Sequence, residues 1–298
     1  TLNAKNINIA SSSSNQSDID NQSYLFAGAN IGVSILDNKD ENNTFALISG
    51  NSNINSDNLT LHATGDTELK SALRTVTVSG FNLQYLSNNT NASSITKAMI
   101  ENATGEMNLG GLNIIADSSK MSTLSKSNLT GGSVVGITVG RSGAYMDAEM
   151  TAGVNSSGEL KITNSGQTKI LSGVDANDNS KAAEIKAESK LMNFSVGVIS
   201  GGIADAIAKN DVKVNSKLIA GEHNAQSLIV KSIMNSISKS GIDSQNYGGI
   251  TVSTSNVKSY VNGMSRFLIL WIIKYNGLIH GYGILKELDK FFTIFIDE

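Results

Sequence analysis

The stretch GGSVVGITVGRSGAYMDAE, residues 131–149, carries the pattern that decides the fold. Two glycines open it, and small or β-branched residues follow at close intervals, as in strands that pack into a narrow core. The same texture returns as GGITVSTSNVKSYVNG at 248–263. Polar turns with Gly, Asn or Asp stand before other short strands, as GG does before Leu112, and indicate corners between strands. The chain is therefore predicted to consist of duplicated β units.

A second strand motif recurs in a fixed order with the first. Its copies begin at Ile7, Leu59, Leu112, Leu160 and Leu228, so that successive anchors lie roughly 50 to 70 residues apart. The glycine-bearing motif follows each of these anchors, at 28–35, 75–81, 134–143, 195–202 and 248–259. Two signatures repeated in one order predict about five units over residues 1–263, each holding two or three coils of roughly 20 residues.

The composition agrees with strands that are paired on both edges. The chain has no Pro, which supplies no backbone N–H, and 28 Gly. We predict an all-β fold, a parallel β-solenoid in which Ser, Thr and Asn form ladders between successive coils. An antiparallel β-sandwich or barrel is the alternative, but it should show stronger alternation and more aromatic residues in its core.

Charge and hydropathy exclude two classes of partner. The net charge is −3, and only three arginines occur, so a surface for nucleic-acid phosphates is not expected. The longest apolar run, residues 267–273, is far shorter than the roughly 20 residues that span a bilayer. The polar start TLNAKNINIA is not a signal peptide. Any export signal is therefore expected upstream of this sequence.

The repeated texture at 131–149 and 248–263, with the anchors between its copies, resembles filamentous-haemagglutinin-like exoproteins, in particular leukotoxin-type filamentous adhesins of anaerobic bacteria. This resemblance implies a right-handed β-helical stalk that is secreted or exposed on the bacterial outer surface. It implies attachment to glycan or protein ligands on host cells or other surfaces. Contact with the membrane would come only through export regions outside this sequence, and the family supplies no catalytic residues.

For three candidate sites, the sequence supports a purely structural role more strongly than a functional one. Residues 195–209 combine glycines with a possible helix, but they lack G-x-G-x-x-G and match the repeat. In the aspartate-rich segment 174–184, Ser180 and Lys186 stand where a calcium loop needs Gly and Glu, so a solvated loop is predicted. His62, His223 and His280 are scattered among unrelated contexts and predict no metal site; these are the chain's three histidines.

No catalytic, cofactor-binding, metal or DNA-binding residue is predicted, and the protein is not expected to be an enzyme. The enzyme alternative is a polysaccharide lyase or glycosidase, because such activities are often built on β-helices. Those sites need paired carboxylates, or basic residues near calcium, together with aromatic platforms for sugars. Residues 1–265 hold only nine dispersed aromatics.

The segment 264–298 differs from the rest of the chain and is predicted to form a short α-helical hairpin. Apolar residues recur at helical spacing in HGYGILKEL, residues 280–288. Together with FLILWIIKYN this segment resembles the start of a PadR-family winged-helix regulator, whose recognition helix would follow. Without that helix we expect no DNA binding. The tail is thus interpreted as a truncated gene fragment, or as a hydrophobic cap on the solenoid.

Overall fold

The computed structural model describes residues 1–156, 158–270, 272–275 and 278–282, and in this part of the chain every regular element is a β-strand. The prediction of an all-β fold is confirmed. The strands are β1 (Leu2–Asn51), β2 (Ile54–Leu109), β3 (Leu112–Ser118), β4 (Met121–Asn155), β5 (Leu160–Asn164), β6 (Gln167–Asp175), β7 (Asp178–Ala182), β8 (Glu184–Val196), β9 (Ile199–Ile219), β10 (Glu222–Asn224), β11 (Ser227–Ser232), β12 (Asn235–Tyr247), β13 (Ile250–Leu270), β14 (Ile272–Tyr275) and β15 (Leu278–Tyr282).

Strands β1 to β13 form one sheet in which the chain passes five times. These passes, called rows below, cover residues 2–51, 54–104, 105–155, 160–219 and 222–270. Each row bonds to the next in parallel; Leu2 at the start of row 1, for example, pairs with Ile54 at the start of row 2. Parallel pairing of this kind excludes the antiparallel sandwich or barrel. The sheet is nevertheless mixed, because β6 and β7 pair in antiparallel fashion.

The predicted division of each unit into coils of roughly 20 residues is wrong. Register partners in neighbouring rows, such as Ser23 and Thr75, are a whole row apart in sequence, and the interval is longer still where Met121 pairs with Ile185. The chain contains no proline to end a strand. Strands therefore continue through most of each row, and one complete row, not a third of one, forms the repeat.

The sheet curls so that the first half of each row faces its second half. Within row 2, the Ser71 hydroxyl donates to Asn88 Oδ1 across the interior at 2.7 Å. In row 3, the Ser142 hydroxyl lies 2.9 Å from that of Ser125. Alternate side chains of both halves point inward, as the period of two requires. Below, these halves are called the outgoing and returning halves.

The interior changes from apolar to polar along a row. Its largest apolar cluster lies where the rows begin and end, and includes Leu59, Leu61, Ile100, Leu112, Ile114 and Ile162. A second cluster follows around Leu69, Met121 and Met150. Close to the corner between the two halves, the buried residues are polar, among them Thr77, Asn82, Gln84, Thr138 and Asn193. The hydrophobic contribution to stability is thus concentrated far from the corner.

Glycines allow the rows to approach closely at this corner. A Cβ atom on Gly80 would lie 2.8 Å from the carbonyl oxygen of Gly28 in the row above. A Cβ atom on Gly248 would likewise collide with the carbonyl oxygen of Gly197. The glycines of the repeated motif therefore serve backbone packing between rows.

Polar ladders connect successive rows, as predicted. The Asn55 amide donates to Asn3 Oδ1 at 2.7 Å, and the Asn108 amide donates to Asn55 Oδ1 at 3.0 Å. A parallel pair joins the Asn58 amide to Asn6 Oδ1 at 3.0 Å. Since register partners sit at the same place in each row, identical side chains can bond repeatedly along the stack.

Replacing Asn55 by alanine is expected to lower the free energy of unfolding by about 1 kcal/mol, because the change removes the central member of a three-row ladder on an exposed face. Urea-induced unfolding measures the effect. Asn43→Ala is the matched control, since Asn43 is exposed and its side chain makes no hydrogen bond within the described residues. Equal stabilities of the two variants would contradict a stabilising ladder.

Four of the five predicted anchors, Ile7, Leu59, Leu112 and Leu228, occupy the same position in their rows as expected. Ile7 pairs with Leu59, and Leu59 with Leu112. Leu160, however, pairs with Gly105, and the residue below Leu112 is Thr168, which in turn pairs with Leu228. The anchor predicted at Leu160 is therefore wrong. The sequence LKIT resembles the other anchors, but it lies at the start of row 4, ahead of Thr168, which occupies the anchor position in that row.

The fourth row is longer because it contains an inserted hairpin. The interval between register partners in rows 3 and 4 increases from the pair Asp117 and Val174 to the pair Met121 and Ile185. The additional residues form the β6–β7 hairpin, in which Asp175 pairs with Asp178. The Asp178 carboxylate accepts from the Ser180 hydroxyl at 2.6 Å and from Lys181 at 2.8 Å. The register shifts between Ala116 and Asp117 just before the hairpin, and parallel pairing resumes after it at Met121 and Ile185.

The predicted α-helical hairpin after residue 263 is not present in the described residues. β13 continues to Leu270 and stays paired with β9, and β14 and β15 then form a two-stranded antiparallel sheet. The Ser265 hydroxyl donates to the Ser232 carbonyl at 3.1 Å, and Phe267 packs against the apolar core. Continuation of the ladder outweighs the local helical pattern. Most of the HGYGILKEL segment, from 283 onward, lies outside the described residues.

Candidate functional site

Charged side chains gather on the outer surface of the outgoing halves of rows 2 to 4. We call this surface the charged face. Its charged members come from three adjacent rows, with Thr64 among them: His62, Asp66, Glu68, Lys70 and Arg74 from row 2, Asp117, Lys120 and Lys126 from row 3, and Lys186, Glu188 and Lys190 from row 4. Parallel pairing brings them together, since residues that are distant in sequence occupy the same place in adjacent rows.

At one end of the charged face, His62 bonds to a buried carboxylate. His62 Nε2 lies 2.6 Å from Asp117 Oδ2, and the Thr64 hydroxyl donates to Asp117 Oδ1 at 2.7 Å. Asp117 is almost completely buried, whereas His62 is partly exposed. The hydrogen bond with Asp117 raises the pKa of His62, against the opposing effect of burial. The carboxylate thus favours the imidazolium form.

This arrangement is not a catalytic triad. Thr64 and Asp117 both approach the same ring nitrogen, Nε2, with the Thr64 oxygen at 3.3 Å. A triad requires the nucleophile and the carboxylate at opposite nitrogens, so that the histidine can accept a proton from one while the other orients it. The three residues instead join rows 2 and 3.

Next to the histidine, Asp66 holds the loop that joins β3 to β4. Its Oδ1 accepts from the Ser118 hydroxyl at 3.0 Å and from the backbone amides of Ser119 and Lys120 at 2.7 and 3.1 Å. A carboxylate bound by several donors is fixed in position. Asp66 therefore serves to shape this loop.

Two glutamates are each placed between two lysines. Glu68 accepts from Lys120 at 2.5 Å and from Lys70 at 2.7 Å, and these hydrogen bonds lower its pKa. Burial acts to raise the pKa of Glu188, but hydrogen bonds from Lys186 and Lys190 outweigh it and lower the pKa to about 2; both lysines lie 2.6 Å away. Each group of three carries a net positive charge at neutral pH.

Beyond these groups, the charged face contains a recess of about 340 Å³. It forms because Ala72, with only a methyl group, lies between Asp20 in row 1 and Lys126 in row 3. Arg74 and Lys190 complete a wall that has three cations and one carboxylate. Neither Arg74 nor Lys126 has a side-chain ion pair within the described residues. The recess is therefore suited to a ligand that carries negative charge and hydroxyl groups.

No known protein family, characterised protein or solved structure matches the chain. Among the described residues there is no group of three His, Cys, Asp or Glu side chains placed to hold a metal ion. The same residues include no helix long and apolar enough to cross a membrane.

The residues considered in the sequence analysis lie apart from one another. His223 is buried and lies 3.1 Å from the Thr168 hydroxyl, and burial lowers its pKa to about 4. The segment 174–184 lies mostly in the strands of the inserted hairpin and is not the predicted solvated loop: Asn177 and Lys181 are exposed, whereas Val174 and Ala183 are buried. Residues 195–209 form the end of β8 and the start of β9, as the repeat interpretation predicted. The side chain of His280 lies outside the described structure.

Sequence reasoning did not find the pairing of His62 with Asp117. A usable signal was present: aligning the anchors at Leu59 and Leu112 places Thr64 directly beside Asp117 in the next row. The recess was also missed, since it depends on the exact register that places Ala72 beside Lys126. That register could not be read from anchors of variable spacing.

Proposed function

We propose that the chain is a β-solenoid segment of a secreted or surface-exposed bacterial filamentous adhesin, which supports attachment to cells or other surfaces. The main support is the continuous parallel pairing of five rows, each in register with the next. A repeat of this kind can be extended row by row into a stalk. Polar ladders and the scarcity of aromatic residues are in keeping with this role.

Attachment requires a surface that contacts a ligand, and we assign this part to the recess on the charged face. The cations Arg74, Lys126 and Lys190 can bind carboxylate or sulfate groups of an acidic glycan. The Asn128 amide and the Asp20 carboxylate border the same recess and can bind sugar hydroxyls. Non-enzymatic binding is favoured, since paired carboxylates suitable for glycoside cleavage do not line this recess.

The test uses the chain of residues 1–298 coated on beads, with surfaces that carry uronate-rich, sulfated or neutral polysaccharides. Beads are expected to adhere to at least one acidic glycan, and adhesion should weaken with salt. Arg74→Gln combined with Lys126→Gln should weaken binding about tenfold, because two charge-assisted contacts are lost. A control with Lys5→Gln and Lys258→Gln has the same change in net charge outside the recess.

The outcomes separate the possible roles. An equal loss of adhesion in both double variants would show that the ligand does not bind in the recess. Release of shorter sugars from any polysaccharide would favour the enzyme alternative. Failure to adhere to every glycan and to cultured cells would overturn the proposed attachment.

A further inference from the structure

The outer surface at the corner is apolar although it faces water. Ile31 is 76% exposed in row 1, Ile137 is 48% exposed in row 3, and Val252 is 71% exposed in row 5. Leu83 in row 2 lies between the first two, because Ile31 pairs with Leu83 and Leu83 with Ile137. Register partners in successive rows form a column. Val33 and Ile203 lie in the neighbouring column, and together these side chains define what we call the corner face.

Behind the corner face, the side chains that point into the interior are polar. Asn82 and Gln84, which flank Leu83, point inward and are buried. Gln84 Nε2 and Asn193 Nδ2 have no hydrogen-bond partner within the described residues. Because side chains alternate along a strand, placing these amides inside places the apolar residues outside. Near the corner, the returning halves thus direct polar side chains inward and apolar side chains outward.

The size of the corner face exceeds what isolated proteins usually expose. From the exposed fractions of its side chains and their neighbours, such as Phe81 and Ile250, the face exposes on the order of 1,000 Å² of apolar surface. The largest apolar patch on a typical monomer is roughly 300–600 Å². A partner that covers the face would remove this surface from water.

We propose that the partner is a second copy of the same chain, with the two corner faces packed against each other about a two-fold axis. No charged residue interrupts the columns that contain Ile31 and Val33 in any of the five rows, so within these columns the face presents only uncharged side chains. Its area is sufficient for a stable dimer, which needs roughly 800 Å² per partner. Two β faces with aligned rows can pack about 10 Å apart.

The arrangement is isologous: each copy presents the same columns to the other. Ile137 lies in the middle row and in a central column, and is therefore placed near the two-fold axis. This dimer does not depend on ligand binding at the charged face, which lies on the outgoing halves. Failure of one proposal leaves the other intact.

Sedimentation of the chain of residues 1–298 at concentrations up to roughly 100 µM tests the proposal. The unsubstituted chain is expected to sediment as a dimer. Ile137→Lys should raise the dissociation constant of the dimer at least tenfold, since two charges would be buried near the axis without partners. Phe45→Lys is the matched control, because Phe45 is similarly exposed but lies at the far end of the returning half. Circular dichroism establishes that both variants keep their strands.

A second measurement uses the absence of cysteine from the sequence. Ile137→Cys should form a disulfide between copies under mild oxidation, whereas Phe45→Cys should remain largely monomeric on non-reducing gels. A chain that stays monomeric over the whole concentration range would overturn the proposal. Larger open-ended species, or a dimer that Ile137→Lys leaves unchanged, would overturn it as well.

Discussion

Replacing Gly153 by alanine is expected to lower the free energy of unfolding by about 3 kcal/mol or more. Gly153 has a φ angle of +148°, which a residue with a side chain rarely adopts. In addition, a Cβ atom would collide with the backbone carbonyl of Lys217, its register partner in the next row, whose carbonyl carbon would be only 2.8 Å away. The ladder between rows 3 and 4 would have to separate locally. Urea-induced unfolding, followed by circular dichroism, measures the loss.

Gly241→Ala is the control for this change. Gly241 also lies within a strand, but a Cβ atom there would meet nothing within 4 Å, and its φ angle is not in the left-handed region. Its substitution should alter stability by less than about 1 kcal/mol, and it can be favourable because alanine restricts the unfolded chain. If both variants unfold at the same urea concentration, the close approach of the backbone at Gly153 does not require glycine at this position.

The second large effect is a loss of stability in acid that depends on His223. Burial holds the pKa of His223 at about 4 in the folded protein, while the unfolded chain titrates near the ordinary value of 6.5. Between these values the unfolded state binds the additional proton, so the free energy of unfolding falls as the pH falls. The stabilising contribution of neutral, buried His223 to the free energy of unfolding is complete above pH 6.5, and roughly 3 kcal/mol of it is lost by pH 4.

The measurement compares urea unfolding of the unsubstituted chain and of His223→Gln between pH 4 and 8. Carboxylate titrations are shared by both proteins, so the difference between the two curves isolates His223. His62→Gln provides a contrast of opposite sign. Because Asp117 raises the pKa of His62, the stabilising contribution of His62 is complete below pH 6.5 and is lost as the pH rises through the folded value. A His223→Gln curve parallel to that of the unsubstituted chain would refute the assignment.

The sequence was sufficient to predict strands and polar ladders, because these depend on local composition and on recurrence. Stacking of Ile7, Leu59 and Leu112 follows directly from their nearly equal spacing. The size of the coil could not be predicted in the same way. Nothing in a short strand motif tells whether the chain returns after a third of a row or after a whole one, since that depends on where the curled sheet closes.

The tail and the corner show how neighbouring structure overrides a local pattern. Residues 264–270 have an apolar run compatible with either a helix or a strand, and the open edge of β9 selects the strand. At the corner, the sequence alternation around Leu83 favours apolar residues inside, yet the register with Ile31 and Ile137 directs them outward. The recess beside Ala72 likewise arises from register and not from any motif.

The inserted β6–β7 hairpin has a use in protein engineering. The register shifts before it, between Ala116 and Asp117, and pairing resumes after it with Met121 opposite Ile185, so rows 3 and 4 stay parallel on both sides of the insertion. The tip around Asn177 is exposed to solvent and bonds mainly to itself. Peptide epitopes or affinity tags grafted at this tip would be presented outward on a rigid support, and other row edges could be lengthened by the same means.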